Sequence, residues 1–136
     1  MKKVLLAVTA IAFLASCKES TVKLRKCPDL VCTENFASVT IEFVKGGQSF
    51  KVIDYSAVNQ RTGDTLVHAK SELPEGMYVV ADDSDVKELS EKGDEIKVTG
   101  TDSLTNKTKT AIIKITGGEC ACHVEKISGP EQISFD

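Results

Sequence analysis

From residue 38 onwards, apolar and polar residues alternate with a period of two, and helical spacing is rare. In Ser38-Val39-Thr40-Ile41-Glu42-Phe43, the residues Val39, Ile41 and Phe43 share one face, while Ser38, Thr40 and Glu42 share the other. This is the pattern of a half-buried strand. Gly46-Gly47 supplies a turn, and a second strand is expected from Phe50 to Val58. There adjacent Val52 and Ile53 break the alternation, which predicts a bulge or a strand covered on both faces. Thr62-Gly63-Asp64 marks another turn before a short strand from Thr65 to Ala69. Pro74-Glu75-Gly76 leads into Met77-Tyr78-Val79-Val80-Ala81, which is apolar throughout and therefore expected at the centre of a sheet. Strand signals return at Glu95 to Thr99, with Ile96 and Val98 inward, and at Lys109 to Thr116, with Ala111, Ile113 and Ile115 on one face. The last long strand is expected from Glu119 to Ile127, where Cys120, Cys122 and Val124 share a face.

One segment departs from this period. Asp82 to Lys92 has Val86 and Leu89 on one helical face, Asp85 and Glu88 at capping-box spacing, and Gly93 as a stop, predicting at most two helical turns. About seven short strands joined by Gly, Asp and Asn turns point to an all-β fold, an antiparallel β-sandwich. The strand spacing over residues 36–128, with a short helical turn before Gly93-Asp94 and a new strand, resembles an immunoglobulin-like sandwich in its architecture. The chain has no tryptophan, so it departs from antibody domains, which pack one on a central disulfide. Residues 129–136 read as a C-terminal tail in which Ile133 and Phe135 alternate as an added edge strand would.

The N-terminus carries a different signal. Lys2 and Lys3 precede an apolar stretch from Val4 to Phe13 that only Thr9 interrupts. That stretch falls short of the roughly 20 residues a membrane-crossing helix needs, and it reads as a signal peptide. Leu14-Ala15-Ser16-Cys17 resembles the lipobox of bacterial lipoproteins: a branched residue, two small ones, then the cysteine that receives lipid. The resemblance implies cleavage after residue 16, acylation of Cys17 on sulfur and on its new amino group, and attachment to the membrane through that lipid. Several acyl chains hold far more firmly than one myristoyl chain, whose binding is marginal. Lys18 rather than aspartate follows the cysteine, so the resemblance points to the outer membrane. The expected organisation is a signal peptide (1–16), a segment with the lipidated cysteine, a polar tether and the first cysteine pair (17–35), a sandwich (36–128) and the tail. Gly-Gly-Glu-Cys-Ala-Cys-His-Val-Glu-Lys-Ile-Ser-Gly-Pro-Glu, residues 117–131, also resembles the ending of small bacterial lipoproteins, a likeness that brings no activity with it.

Composition narrows the partners. The 136-residue chain has a formal charge of −3, and cleavage removes two lysines and no acid, leaving the mature chain more acidic. This balance argues against nucleic acid, or anionic lipid, as the main partner. Cys27, Cys32, Cys120 and Cys122 remain after Cys17 is set apart, an even number that outside the cytoplasm predicts two disulfides. A bridge within Cys120-Ala121-Cys122 has poor geometry in an extended strand, so both bridges are expected to join the Cys27/Cys32 segment to the Cys120/Cys122 segment.

Other chemistry is weighed against that pairing. Cys27, Cys32, Cys120 and Cys122, with His123, form a donor set suited to tetrahedral zinc or copper(I). The Cys-x4-Cys and Cys-x-Cys spacings are not those of a zinc knuckle, and His123 falls on the opposite strand face from Cys122. Disulfides are the stronger reading. Asp82-Asp83-Ser84-Asp85 with Glu88 offers oxygen ligands to calcium but lacks the glycine and terminal glutamate of an EF-hand, and acids at a helix start serve the cap and dipole. Gly-x-Ser-x-Gly, His-Glu-x-x-His and phosphate-loop motifs are absent, and His68 reads as a partly exposed strand residue. An exposed stacking platform would have to come from Tyr55, Tyr78 or Phe135. The sequence thus predicts a lipid-anchored envelope protein without enzymatic activity or cofactor, a binding or structural module for an envelope protein or small ligand. The alternative is a metal-handling lipoprotein using the cysteines and His123.

Overall fold

The computed structural model describes Cys27, Asp29, residues 31–68 and residues 73–136. The segments expected to be a signal peptide and a tether, with Cys17 between them, lie outside these described residues. The strands are β1 (Ser38–Lys45), β2 (Gln48–Ser49), β3 (Ile53–Asn59), β4 (Thr65–Leu66), β5 (Met77–Asp82), β6 (Asp94–Thr101), β7 (Thr108–Thr116), β8 (Glu125–Ser128) and β9 (Gln132–Ser134). One sheet has the order β2-β1-β5, with β9 also paired to β1, and the other has the order β4-β3-β6-β7-β8. The chain leaves β1 for the opposite sheet at β3, returns beside β1 at β5, and crosses again to place β6 beside β3 and β7 beside β6. This crossing order is that of an immunoglobulin-like β-sandwich. All pairings are antiparallel except β9 on β1, where Phe43 lies opposite Ile133 in a parallel pair.

The alternation read from sequence is what closes the two sheets on each other. Ile41 and Phe43 from β1 meet Ile96 and Val98 from β6 and Ile113 and Ile115 from β7, and none of the six is more than 1% exposed. Each such burial contributes on the order of 1.5–3 kcal/mol. Phe43 stands edge-on to Tyr55 and Tyr78, with ring centroids 6.3 and 5.6 Å away. Gly100 on β6 makes room for this ring: a Cβ there would sit 2.7 Å from its Cζ. Gly46 and Gly47 reach φ of 59° and 73° in the β1–β2 turn, a region that residues with a Cβ disfavour.

Several sequence expectations change. The segment 82–92 forms successive turns and no helix. Bonds such as Asp85 N–H to the Asp82 carbonyl and Glu88 N–H to the Asp85 carbonyl close single turns. The Asp85 carboxylate accepts from the N–H of Asp82, behind it, instead of capping N–H groups ahead. Val86 and Leu89 are buried as expected, but in the core cluster beneath these turns. β5 is an edge strand and not a central one; its apolar residues have β1 on one side, and the Tyr55 hydroxyl donates to the Val79 carbonyl. The last long strand starts only at Glu125, because residues 119–124 turn to carry Cys120 and Cys122 to their partners. Asp54, at φ 51°, and a register shift between Ile53 and Ser56 mark the bulge where alternation failed. Residues 129–136, read as a tail in which Ile133 and Phe135 alternate as an added strand would, do supply that strand, since β9 carries Ile133 into the core and Phe135 follows it.

Candidate functional site

Two disulfides, Cys27–Cys120 and Cys32–Cys122, join the start of the domain to the loop before β8. Both cross between the two cysteine segments, as expected. They also remove the thiolates on which the zinc or copper(I) reading of Cys27, Cys32, Cys120, Cys122 and His123 depended. The His123 ring is engaged as well: Nδ1 lies 2.7 Å from Asp83 Oδ2, and Nε2 lies 2.8 Å from Thr33 Oγ1. The carboxylate of Asp83 accepts from Nδ1–H, so in the neutral ring Nε2 accepts the Thr33 hydroxyl proton. Asp83 also accepts from the N–H of Ala37 at 2.8 Å and of Val124 at 2.9 Å. Burial pushes its carboxyl up, but the Ala37 and Val124 donors and the neighbouring His123 outweigh this and hold it below the usual carboxylate range.

A hydroxyl, an imidazole and a carboxylate in series also occur in nucleophile-activating triads. Here Thr33 is exposed and follows the disulfide-bonded Cys32 on the surface, away from the groove described below. The series acts as a tie that fastens the N-terminal segment to the turn after β5 and to the loop before β8.

The same turn meets the other histidine. His68, two residues beyond β4, brings Nε2 to 2.7 Å from Asp85 Oδ2 and to 3.9 Å from Asp82 Oδ2. The three side chains are 8%, 11% and 16% exposed, and their ligand-capable atoms all lie within 4.8 Å of one another. Ser84 orients Asp82 by donating from its N–H, at 2.8 Å, and from its hydroxyl to Oδ1. Asp82 N–H in turn donates to Asp85 Oδ2 at 2.9 Å. The acid run singled out in sequence therefore divides, with Asp83 on the stapled side, Asp82 and Asp85 on His68, and Glu88 exposed outside the cluster. His68 is half-buried, in keeping with the partly exposed residue expected, but it lies beyond the end of β4 and not in a strand.

Other deeply buried acids have a full cationic partner. Arg61 grips Asp94 with Nε at 2.7 Å and Nη2 at 2.8 Å, and holds its carboxyl below the usual range. Lys45 Nζ lies 2.6 Å from Asp102 and holds that carboxyl far below the usual range, with further donation from Leu104 and Thr105. No lysine or arginine forms a salt bridge with Asp82 or Asp85 among the described residues.

His68 also lines a groove of about 600 Å³ between the β3–β4 edge and β5. Its walls include Tyr55, Leu66, Val67, Met77 and Tyr78. Tyr55 and Tyr78 stack with centroids 4.5 Å apart, and the Tyr78 hydroxyl bonds the backbone of Val52. Burial, with Tyr78 adding to it, pushes the Tyr55 phenol well above its ordinary range, so it remains a neutral donor. Of the three aromatics considered for an exposed platform, these two form one wall, while Phe135 is buried in the core. No protein family, curated protein or solved structure matches the chain.

Proposed function

We propose that this chain is a lipid-anchored protein of the bacterial envelope, held in the outer membrane through acylated Cys17, whose sandwich is a non-catalytic binding module. The pair of disulfides carries this reading. Bridges of this kind form and persist in oxidising compartments outside the cytoplasm, where the lipobox-like Leu14-Ala15-Ser16-Cys17 would direct the chain. With its first cysteine only ten positions beyond Cys17, the folded body sits close to the bilayer.

The binding surface assigned to it is the groove beside β5. Its volume lies in the range of small-ligand sites, and its lining combines apolar walls with a few polar groups, as such sites do. The ligand is a small molecule or a segment of another envelope protein. A metal-handling role for the cysteines is not retained, because their sulfurs are spent in bridges.

Fractionation tests the anchor. Wild-type protein expressed in a Gram-negative host is expected in the detergent-extracted membrane fraction and to take up labelled palmitate. The Cys17→Ser variant is expected in the soluble extracytoplasmic fraction without label. Equal partition of the two, or label retained by the variant, contradicts the anchor.

A further inference from the structure

We infer that His68, Asp82 and Asp85 form a binding site for a divalent first-row transition ion such as zinc or manganese. The inference goes beyond the binding-module reading and stands whether or not Cys17 carries lipid. It begins from charge. Two carboxylates, each less than one-fifth exposed, converge on an imidazole with no lysine or arginine salt-bridged to either among the described residues, and the three ligand-capable atoms lie within 4.8 Å of one another. Burying a carboxylate is costly unless a cation or several donors offset it. Asp94 and Asp102 meet that requirement with Arg61 and Lys45. Asp83 meets it with two backbone N–H groups and His123. Asp82 accepts from the Ser84 N–H and hydroxyl, and Asp85 from the Asp82 N–H and His68, but among the described residues no lysine or arginine pairs with either, so a neutral imidazole leaves two like charges side by side and an imidazolium balances one.

The donor set chooses the ion. One imidazole nitrogen with two carboxylate oxygens suits zinc, manganese or iron(II), whereas calcium and magnesium favour sites built from oxygen alone. A bound ion takes the place of the proton between Nε2 and Asp85 Oδ2, and the ring keeps its proton on Nδ1. The second set of contacts is already in position. Ser84 fixes Asp82 through Oδ1 and leaves Oδ2 directed at His68, and the Asp82 N–H holds Asp85. Outer hydrogen bonds of this kind orient ligands in metal sites. Three protein donors leave coordination positions open for water or for an oxygen of a guest in the groove that His68 lines.

The chain has two histidines, which makes the test discriminating. Full-length protein purified in detergent is titrated with zinc chloride by calorimetry, beside Asp82→Asn, His68→Gln and His123→Gln. One zinc per chain is expected, with affinity reduced at least tenfold by Asp82→Asn and His68→Gln and unchanged by His123→Gln. A zinc concentration roughly a hundredfold above the dissociation constant raises the wild-type Tm by about 10 °C. Asp82→Asn keeps the Oδ1 acceptor that Ser84 uses, so its metal-free Tm stays near wild type and loss of zinc binding there is not loss of fold. Absence of saturable binding overturns the inference. So does binding that survives in both Asp82→Asn and His68→Gln, or that disappears in His123→Gln.

Discussion

His123 and His68 reach the same short turn, Asp82 to Asp85, and do opposite things there. His123 has both ring nitrogens bonded, to Asp83 and Thr33, and Asp83 has both oxygens filled. Nothing at that pair is left to bind a guest. His68 shares one contact with Asp85, while Asp82 holds an oxygen toward it at 3.9 Å, beyond hydrogen-bond reach. One pair is a fastening, reinforced by Cys32–Cys122 between the neighbours of Thr33 and His123. The other brings one imidazole and two carboxylates, with ligand-capable atoms within 4.8 Å of one another, into the arrangement proposed to hold an ion. Identical residue types next to each other in sequence thus have different roles, and the number of donors satisfied decides which.

The largest effect should come from the fastened side. Opening both disulfides, by reduction or by Cys32→Ser with Cys27→Ser, is expected to cost about 5 kcal/mol in denaturant unfolding, because loops spanning 93 and 90 positions are released. Removing one bridge should cost about 2 kcal/mol, since the other still closes the long loop. A double loss equal to the sum of the two single losses would contradict this pairing of the chain ends.

Arg61→Ala comes next, with a clear drop in the denaturant midpoint that stays smaller than the loss of both bridges, because it leaves buried Asp94 without its cation. The variant leaves Asp94 with the donors Asn59 and Ser90 alone, and serves as the reference for how much a missing cation matters. A midpoint unchanged from wild type would remove charge as the basis for separating the two sides.

Acid sharpens the comparison further. Asp83, Asp94 and Asp102 have carboxyls lowered by their donors, so each contributes stability that is complete above the unfolded value of about 4 and is lost as pH falls through its lowered folded value. Unfolding midpoints should therefore hold from neutrality to about pH 5 and decline below pH 4. Asp83→Asn should be less stable than wild type at pH 7 by about 1–2 kcal/mol and should show a shallower acid decline. Parallel curves for the two proteins would mean that Asp83 is not held as its contacts indicate. The smallest effect belongs to the open side: metal-free Asp82→Asn should lie within about 0.5 kcal/mol of wild type by the same unfolding measurement.

Much of the fold was legible because strand alternation is a local signal. Val39, Ile41 and Phe43, and Ile113 with Ile115, point inward as their spacing requires. The bulge was legible too, in the adjacency of Val52 and Ile53. The turn after β5 was not. Asp85 and Glu88 satisfy capping-box spacing, but the Asp85 carboxylate is drawn to His68, seventeen positions away, and a local rule cannot weigh that competitor. The candidate ion site was hidden for the same reason. Its acids were noticed as a run, but what separates Asp82 and Asp85 from Asp83 is which histidine the fold brings to each. The pairing of cysteine segments was readable because few connectivities were possible. The placement of His123 was misjudged because residues 119–124 leave the strand, so the face assigned to it by alternation does not exist.

One measurement reaches the central claim directly, since it reads anchor and staples together: the intact mass of the protein extracted from membranes without reductant. The account predicts a polypeptide that begins at Cys17, carries three acyl chains with their glyceryl group, and weighs four hydrogens less than the thiol form because of its two bridges. A mass that retains residues 1–16, lacks the lipid, or shows four free thiols would contradict it.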